Sequence, residues 1–121
     1  MIKDILVPKT PDEIYNDLTS TDYVHFIKTL SDKMKLGEKE SFFVPYISND
    51  KFHPSLFNCK LFYDACRFSY PTLVKIMLEK PDFNPIGDNY YALRIAIHNG
   101  NKTIVRMLRE SGLFNNINSC I

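Results

Sequence analysis

The sequence has no tryptophan, only four glycines, and no glycine-rich loop of the G-x-G-x-x-G or G-x-x-x-x-G-K-[ST] type, so the backbone cradle that nucleotide phosphates need is missing. Its three cysteines, Cys59, Cys66 and Cys120, are odd in number and form no C-x-x-C pair, which argues against a disulfide framework and for a reducing compartment. Long apolar runs are also lacking. The N-terminal stretch is interrupted after a few residues by Pro8 and Lys9, which suits neither a signal peptide nor a membrane span. Nor does one charge dominate. Residues 1–59 hold seven Lys against nine Asp plus Glu, and residues 60–121 hold eight Lys plus Arg against five. That imbalance falls well short of the dense cationic patch required for phosphate-backbone binding. These absences set the expectation of a cytoplasmic protein with neither nucleic acid nor membrane as partner.

What is present is enough for one modest core: 121 residues, 45% of them hydrophobic. Thr10-Pro11-Asp12-Glu13 has the form of a capping box, with Pro11 suited to the first turn, and predicts a short helix to about Leu18. Thr19-Ser20-Thr21-Asp22 offers a second cap. Val24, Ile27, Leu30 and Met34 then recur at helical spacing, with Gly37 as the stop. Phe42-Phe43-Val44 precedes Pro45 and reads as an extended segment, short enough for one β-strand. Residues 46–55 read as an irregular surface connection.

The second half repeats itself. Leu61 to Leu78 laid over Ala92 to Arg109 places Ala65 on Ala96, Thr72 on Thr103 and Val74 on Val105, all 31 residues apart (65 to 96, 72 to 103, 74 to 105). A period of this size predicts helix pairs that are each too small to bury an apolar face alone and must stack on a neighbour. Cys66 falls on Ile97, and both are expected inside the seam.

These residues resemble the ankyrin repeat family. Tyr91-Ala92-Leu93-Arg94-Ile95-Ala96 occupies the place of the family's T-P-L-H-x-A opening, Asn99-Gly100-Asn101 that of its inter-helix turn, Thr103-Ile104-Val105 that of its "x-I-V", and Gly112 that of its helix-ending glycine. In the preceding unit Lys60 to Ala65 matches the opening poorly, and Ser69-Tyr70-Pro71 replaces the glycine turn. The linking segment "EKPDFNPIGDNY" is shorter than the family's and is similar to connections in arrays of large DNA viruses and some protists. The resemblance implies a mostly α, helix-turn-helix solenoid. Residues 57–121 would hold two units and a tail, and residues 1–56 either a helical cap or a worn first unit. For the worn unit, Tyr23-Val24 can be laid on Leu73-Val74.

The resemblance further implies a non-catalytic module that binds another protein, and its virus-like form implies a virus- or mobile-element-encoded inhibitor of a host or defence protein. Family practice makes the concave side the docking surface, here Arg67, Phe68, His98 and Asn99, with Asp88, Asn89 and Tyr90 at the turn tip. Tyr63 and Arg94 stand where the family has a loop-bracing histidine. Arg and aromatic side chains are frequent interface anchors. His53, Cys59, Cys66 and His98 are zinc-type donors in no known spacing, so no metal, cofactor or catalytic residue is expected. A metal-binding or enzymatic role for the unfamiliar first half stays open. Beyond Gly112, Leu113, Phe114, Ile117 and Ile121 are the apolar residues left to cover the end of the array. Three readings follow: the tail folds back, a partner or second copy covers the face (a homodimer through Leu113, Phe114 and Ile117), or the natural chain is longer.

Overall fold

The computed structural model describes residues 10–17, 20–85 and 87–111, and every regular element among them is a helix. In chain order these are α1 (Pro11–Asp17), α2 (Ser20–Lys35), α3 (Glu40–Ile47), α4 (Leu56–Arg67), α5 (Pro71–Leu78), α6 (Gly87–His98) and α7 (Lys102–Glu110). The capping box forms as its residues predict: the Glu13 N–H donates to Thr10 Oγ1 at 3.2 Å and the Thr10 N–H donates to Glu13 Oε1 at 2.9 Å. Gly37 ends α2 at φ +85°, and the Glu38 N–H reaches back to the Lys33 carbonyl at 3.0 Å. This is the six-to-one bond of a Schellman turn. The same bond closes α4, from Tyr70 N–H to the Ala65 carbonyl at 2.9 Å, and α6, from Asn101 N–H to the Ala96 carbonyl at 2.9 Å. In the α4 turn the left-handed position is Ser69 at φ +65°, a conformation that costs a non-glycine residue about 1 kcal/mol.

Helices α2, α4 and α6 lie side by side in one row and α3, α5 and α7 in a second, with α4 packed on α5 and α6 on α7. The buried seam includes Leu30, Met34 and Phe43, then Leu61, Phe62, Ala65, Leu73, Val74 and Met77, then Ala92, Leu93, Ala96, Ile104 and Leu108. Ala65, Ala92 and Ala96 have no exposed surface, as expected where facing helices approach closely. α1 closes the near end: Tyr15 is buried, packs edge-on against Phe26 at 5.5 Å, and its hydroxyl donates to the Tyr46 carbonyl at 2.8 Å.

The residues before α3, α5 and α7 are Lys39, Tyr70 and Asn101, evenly spaced by 31 (39 to 70, 70 to 101). Two of them tie neighbouring pairs together. The Tyr70 hydroxyl shares its proton between the Glu38 carbonyl at 2.7 Å and the Met34 carbonyl at 3.2 Å. Asn101 Nδ2 donates to the Cys66 and Arg67 carbonyls at 2.6 and 3.1 Å. Each thus satisfies carbonyls at the end of the helix in the preceding pair, groups that a helix cannot satisfy internally. Glu40 adds a third tie, its Oε2 accepting from the Thr72 and Leu73 N–H groups in the first turn of α5.

Three expectations are corrected. Phe42-Phe43-Val44 is helical, part of α3 with Pro45 inside it, and no strand occurs among the described residues. Phe43 and Ile47 have no exposed surface, so burial at a spacing of four outweighs the residue-before-proline preference, while Pro45 itself faces outward. Residues 46–55 are not simply a surface connection. Phe52 and Pro54 are buried, and His53 Nε2 lies 3.0 Å from the Pro81 carbonyl. Ile97, expected inside the seam with Cys66, is 41% exposed, whereas Cys66 is sealed.

Candidate interaction surface

On the open side of the α2–α4–α6 row, α4 places Lys60, Asp64 and Arg67 one turn apart. Asp64 is buried, yet it is fully engaged. Ser31 Oγ on α2 donates to its Oδ2 at 2.5 Å, Lys60 Nζ lies 3.6 Å from Oδ2, and Arg67 Nη1 lies 3.6 Å from Oδ1. A buried carboxylate is tolerable when paired and hydrogen-bonded in this way. Arg67 then reaches α6, its Nη2 donating to the Tyr91 hydroxyl at 2.8 Å. The Tyr91 ring packs edge-on against Tyr63 at 4.7 Å, and the Arg94 guanidinium lies 5.4 Å from its centroid. The network therefore runs Ser31, Asp64, Arg67, Tyr91 across three helices. Beside it opens a pocket of about 220 Å³ lined by Phe57, Lys60, Tyr63, Asp64, Arg67 and Tyr91. The backbone at its rim is unusual: Phe57, Asn58 and Cys59 all have positive φ, at +52°, +57° and +61°.

The residues expected to bind a partner are only partly brought together. Arg67 and Phe68 are half-buried neighbours, the guanidinium 5.9 Å from the Phe68 centroid, and Arg67 is held by Asp64 and Tyr91 instead of standing free. His98 and Asn99 are exposed at the end of α6, with Asn99 Nδ2 donating to the Ile95 carbonyl at 2.8 Å. Tyr90 is half-buried at φ +62°. The side chains of Asp88 and Asn89 lie outside the described residues, as do Leu113, Phe114 and Ile117. Ser31, Lys60, Asp64 and Tyr91 went unpredicted. The signal for Asp64 is a carboxylate inside the apolar run Leu61 to Phe68, with a cation four residues before and another three after.

Other donors are engaged elsewhere. His53 has Ser55 Oγ at 2.7 Å from Nδ1 and the Pro81 carbonyl at Nε2, and burial pushes the Cys66 thiol far above its ordinary range. Among the described residues no three His, Cys, Asp or Glu side chains group as metal ligands, and no helix is long and apolar enough to cross a membrane. No protein-family model matches the chain, and neither does any curated protein or solved structure.

Proposed function

We propose that the chain is a non-catalytic, ankyrin-like solenoid module that binds another protein through the open side of the α2–α4–α6 row. The observation that carries this reading is the Asp64–Arg67–Tyr91 network. It holds aromatic and arginine side chains from two helices in fixed positions beside a shallow pocket, which lowers the ordering cost of docking. The even spacing of Lys39, Tyr70 and Asn101 supports three stacked units rather than two, with residues 20–47 as the first and α1 as its cap. Asp64 is occupied by Ser31, Lys60 and Arg67, and Arg67 in turn by Tyr91, so the arrangement favours recognition over chemistry. The virus-like form of the repeat extends the proposal to an inhibitor encoded by a virus or mobile element and acting on a host or defence protein in the host cytoplasm.

The test is capture of partners from the native host by the full chain and by a His98→Glu/Asn99→Ala variant. Both residues are exposed, so the variant should keep its melting temperature. Loss of a protein that the parent retains supports the surface. Equal recovery with both baits rejects it. Arg67→Glu is a poor probe, because it would set a second carboxylate beside buried Asp64.

A further inference from the structure

A groove of about 580 Å³ opens between α6 and α7, its lining mainly apolar through Ile97 and Val105 and charged through exposed Lys102, Arg106, Arg109 and Glu110. We infer that this groove docks an amphipathic helix of another protein whose apolar stripe is flanked by acidic residues. The shape argument comes from the preceding pair. Cys66 and Val74 stand 31 residues before Ile97 and Val105, and both are completely buried, because α6 and α7 pack over that side of α4 and α5. The same side of α6 and α7 leaves Ile97 41% exposed and Val105 half-buried. A surface built to receive helices therefore lies uncovered among the described residues.

Charge selects the occupant. Where the covered surface has Pro71, Lys75 and Leu78, the open one has Lys102, Arg106 and Arg109. A further unit of the same kind would have to cover two added cations and would lose the Leu78 contact. A second copy would bring two surfaces of like net charge together, each with Lys102, Arg106 and Arg109 against a single Glu110, an unfavourable arrangement. Residues 112–121 carry neither Asp nor Glu, so that segment has no side chain to complement the three cations. A helix with apolar residues at i, i+3, i+4 and i+7 and Glu alongside satisfies both the apolar lining and the charge.

The probe is a labelled synthetic peptide of about four helical turns with a leucine stripe flanked by Glu, paired with a counterpart carrying Lys for Glu. Fluorescence anisotropy would be read on the full chain and on an Arg106→Glu/Arg109→Glu variant. The Glu peptide should bind the parent saturably and in preference to the Lys peptide, and should bind the variant roughly tenfold more weakly, with the preference between the two peptides reversed. That reversal also shows that the variant is folded, and Lys102→Glu serves as a second, single-site check in the same direction. Equal binding of the two peptides, or binding of neither, overturns the inference. So does a dimer of the parent in light scattering, which would make a second copy the occupant. Binding seen only after Leu113→Ser/Phe114→Ser would make the chain's own tail the occupant and overturn it equally. The outcome does not depend on the His98/Asn99 surface.

Discussion

The α4–α5 pair and the α6–α7 pair follow one backbone plan, with first helices ending at 67 and 98 and second helices starting at 71 and 102, yet they differ in what their shared positions experience. Cys66 is sealed where Ile97 is open, and Val74 is sealed where Val105 is half-covered. A polar residue, Asp64, is buried in the middle pair where Ile95 is buried in the next. The fate of a side chain in this molecule is set by the neighbouring pair as much as by its own helix.

The sharpest way to break the comparison is to place the same charge at both valines. Val74→Asp buries an unpaired carboxylate at a cost of several kcal/mol, a large share of the roughly 5–15 kcal/mol available to a domain. Its thermal transition by circular dichroism should be lost. Val105→Asp should lower the midpoint by only about 4–8 °C, corresponding to about 1 kcal/mol. Similar losses at both sites would show that the two pairs are not differently covered.

Next in size is Asp64→Ala, which removes the Ser31 bond and both cation contacts. Urea unfolding should show a loss of about 2–3 kcal/mol with an unchanged slope, and Ser31→Ala should lose about 1 kcal/mol. An unchanged midpoint for Asp64→Ala would mean that the network adds nothing beyond shape. Smaller again are the ties between pairs: Asn101→Ala and Tyr70→Phe should each cost about 1 kcal/mol in the same assay. A much larger loss at one would show that one junction dominates.

The smallest effect near neutrality is that of pH. Burial raises Tyr15, Tyr23, Tyr70 and Cys66 above their ordinary values of 10.0 for the phenols and 9.0 for the thiol. A group with a raised folded value keeps its full contribution below its unfolded value, and stability falls as pH climbs past that point. Burial lowers Lys80, which acts in the opposite sense, but it is one group against four. The melting temperature should be flat from about pH 6 to 8 and fall above about pH 9. Folded protein should also leave Cys66 unmodified by a thiol reagent at pH 8, and labelling as fast as in denaturant would contradict its burial.

Much of the second half was legible. The 31-residue offset, the Asn99-Gly100 turn and the Pro71 start all correspond to helix boundaries, because each rests on local chemistry. The register of the first pair was hidden by one extra turn residue. Four residues, 36–39, separate α2 from α3, whereas three separate α4 from α5 and α6 from α7. Laying Tyr23-Val24 on Leu73-Val74, an offset of 50 (23 to 73, 24 to 74), sets α2 on α5, whereas α2 packs beside α4 and α3 beside α5. Phe52-His53-Pro54 and Phe83-Asn84-Pro85 also stand 31 apart (52 to 83), each with its Phe and Pro buried, and carry the same period back towards the first half. Of the candidate site, Arg67, Phe68 and His98 could be placed at helix ends from the sequence, although only His98 is exposed there. The Asp64 network was not, because Ser31 and Tyr91 come to it from other helices and only packing brings them there.

The bonds from Tyr70 and Asn101 point towards earlier residues, and this gives the stacked helix pairs a direction in time. As a chain leaves the ribosome, the carbonyls of Met34 and Glu38 have no tyrosine partner until residue 70 emerges, and those of Cys66 and Arg67 wait for residue 101. The first two hairpins are completed only after their successors have been made, so a nascent chain stalled before residue 101 would carry an unfinished turn.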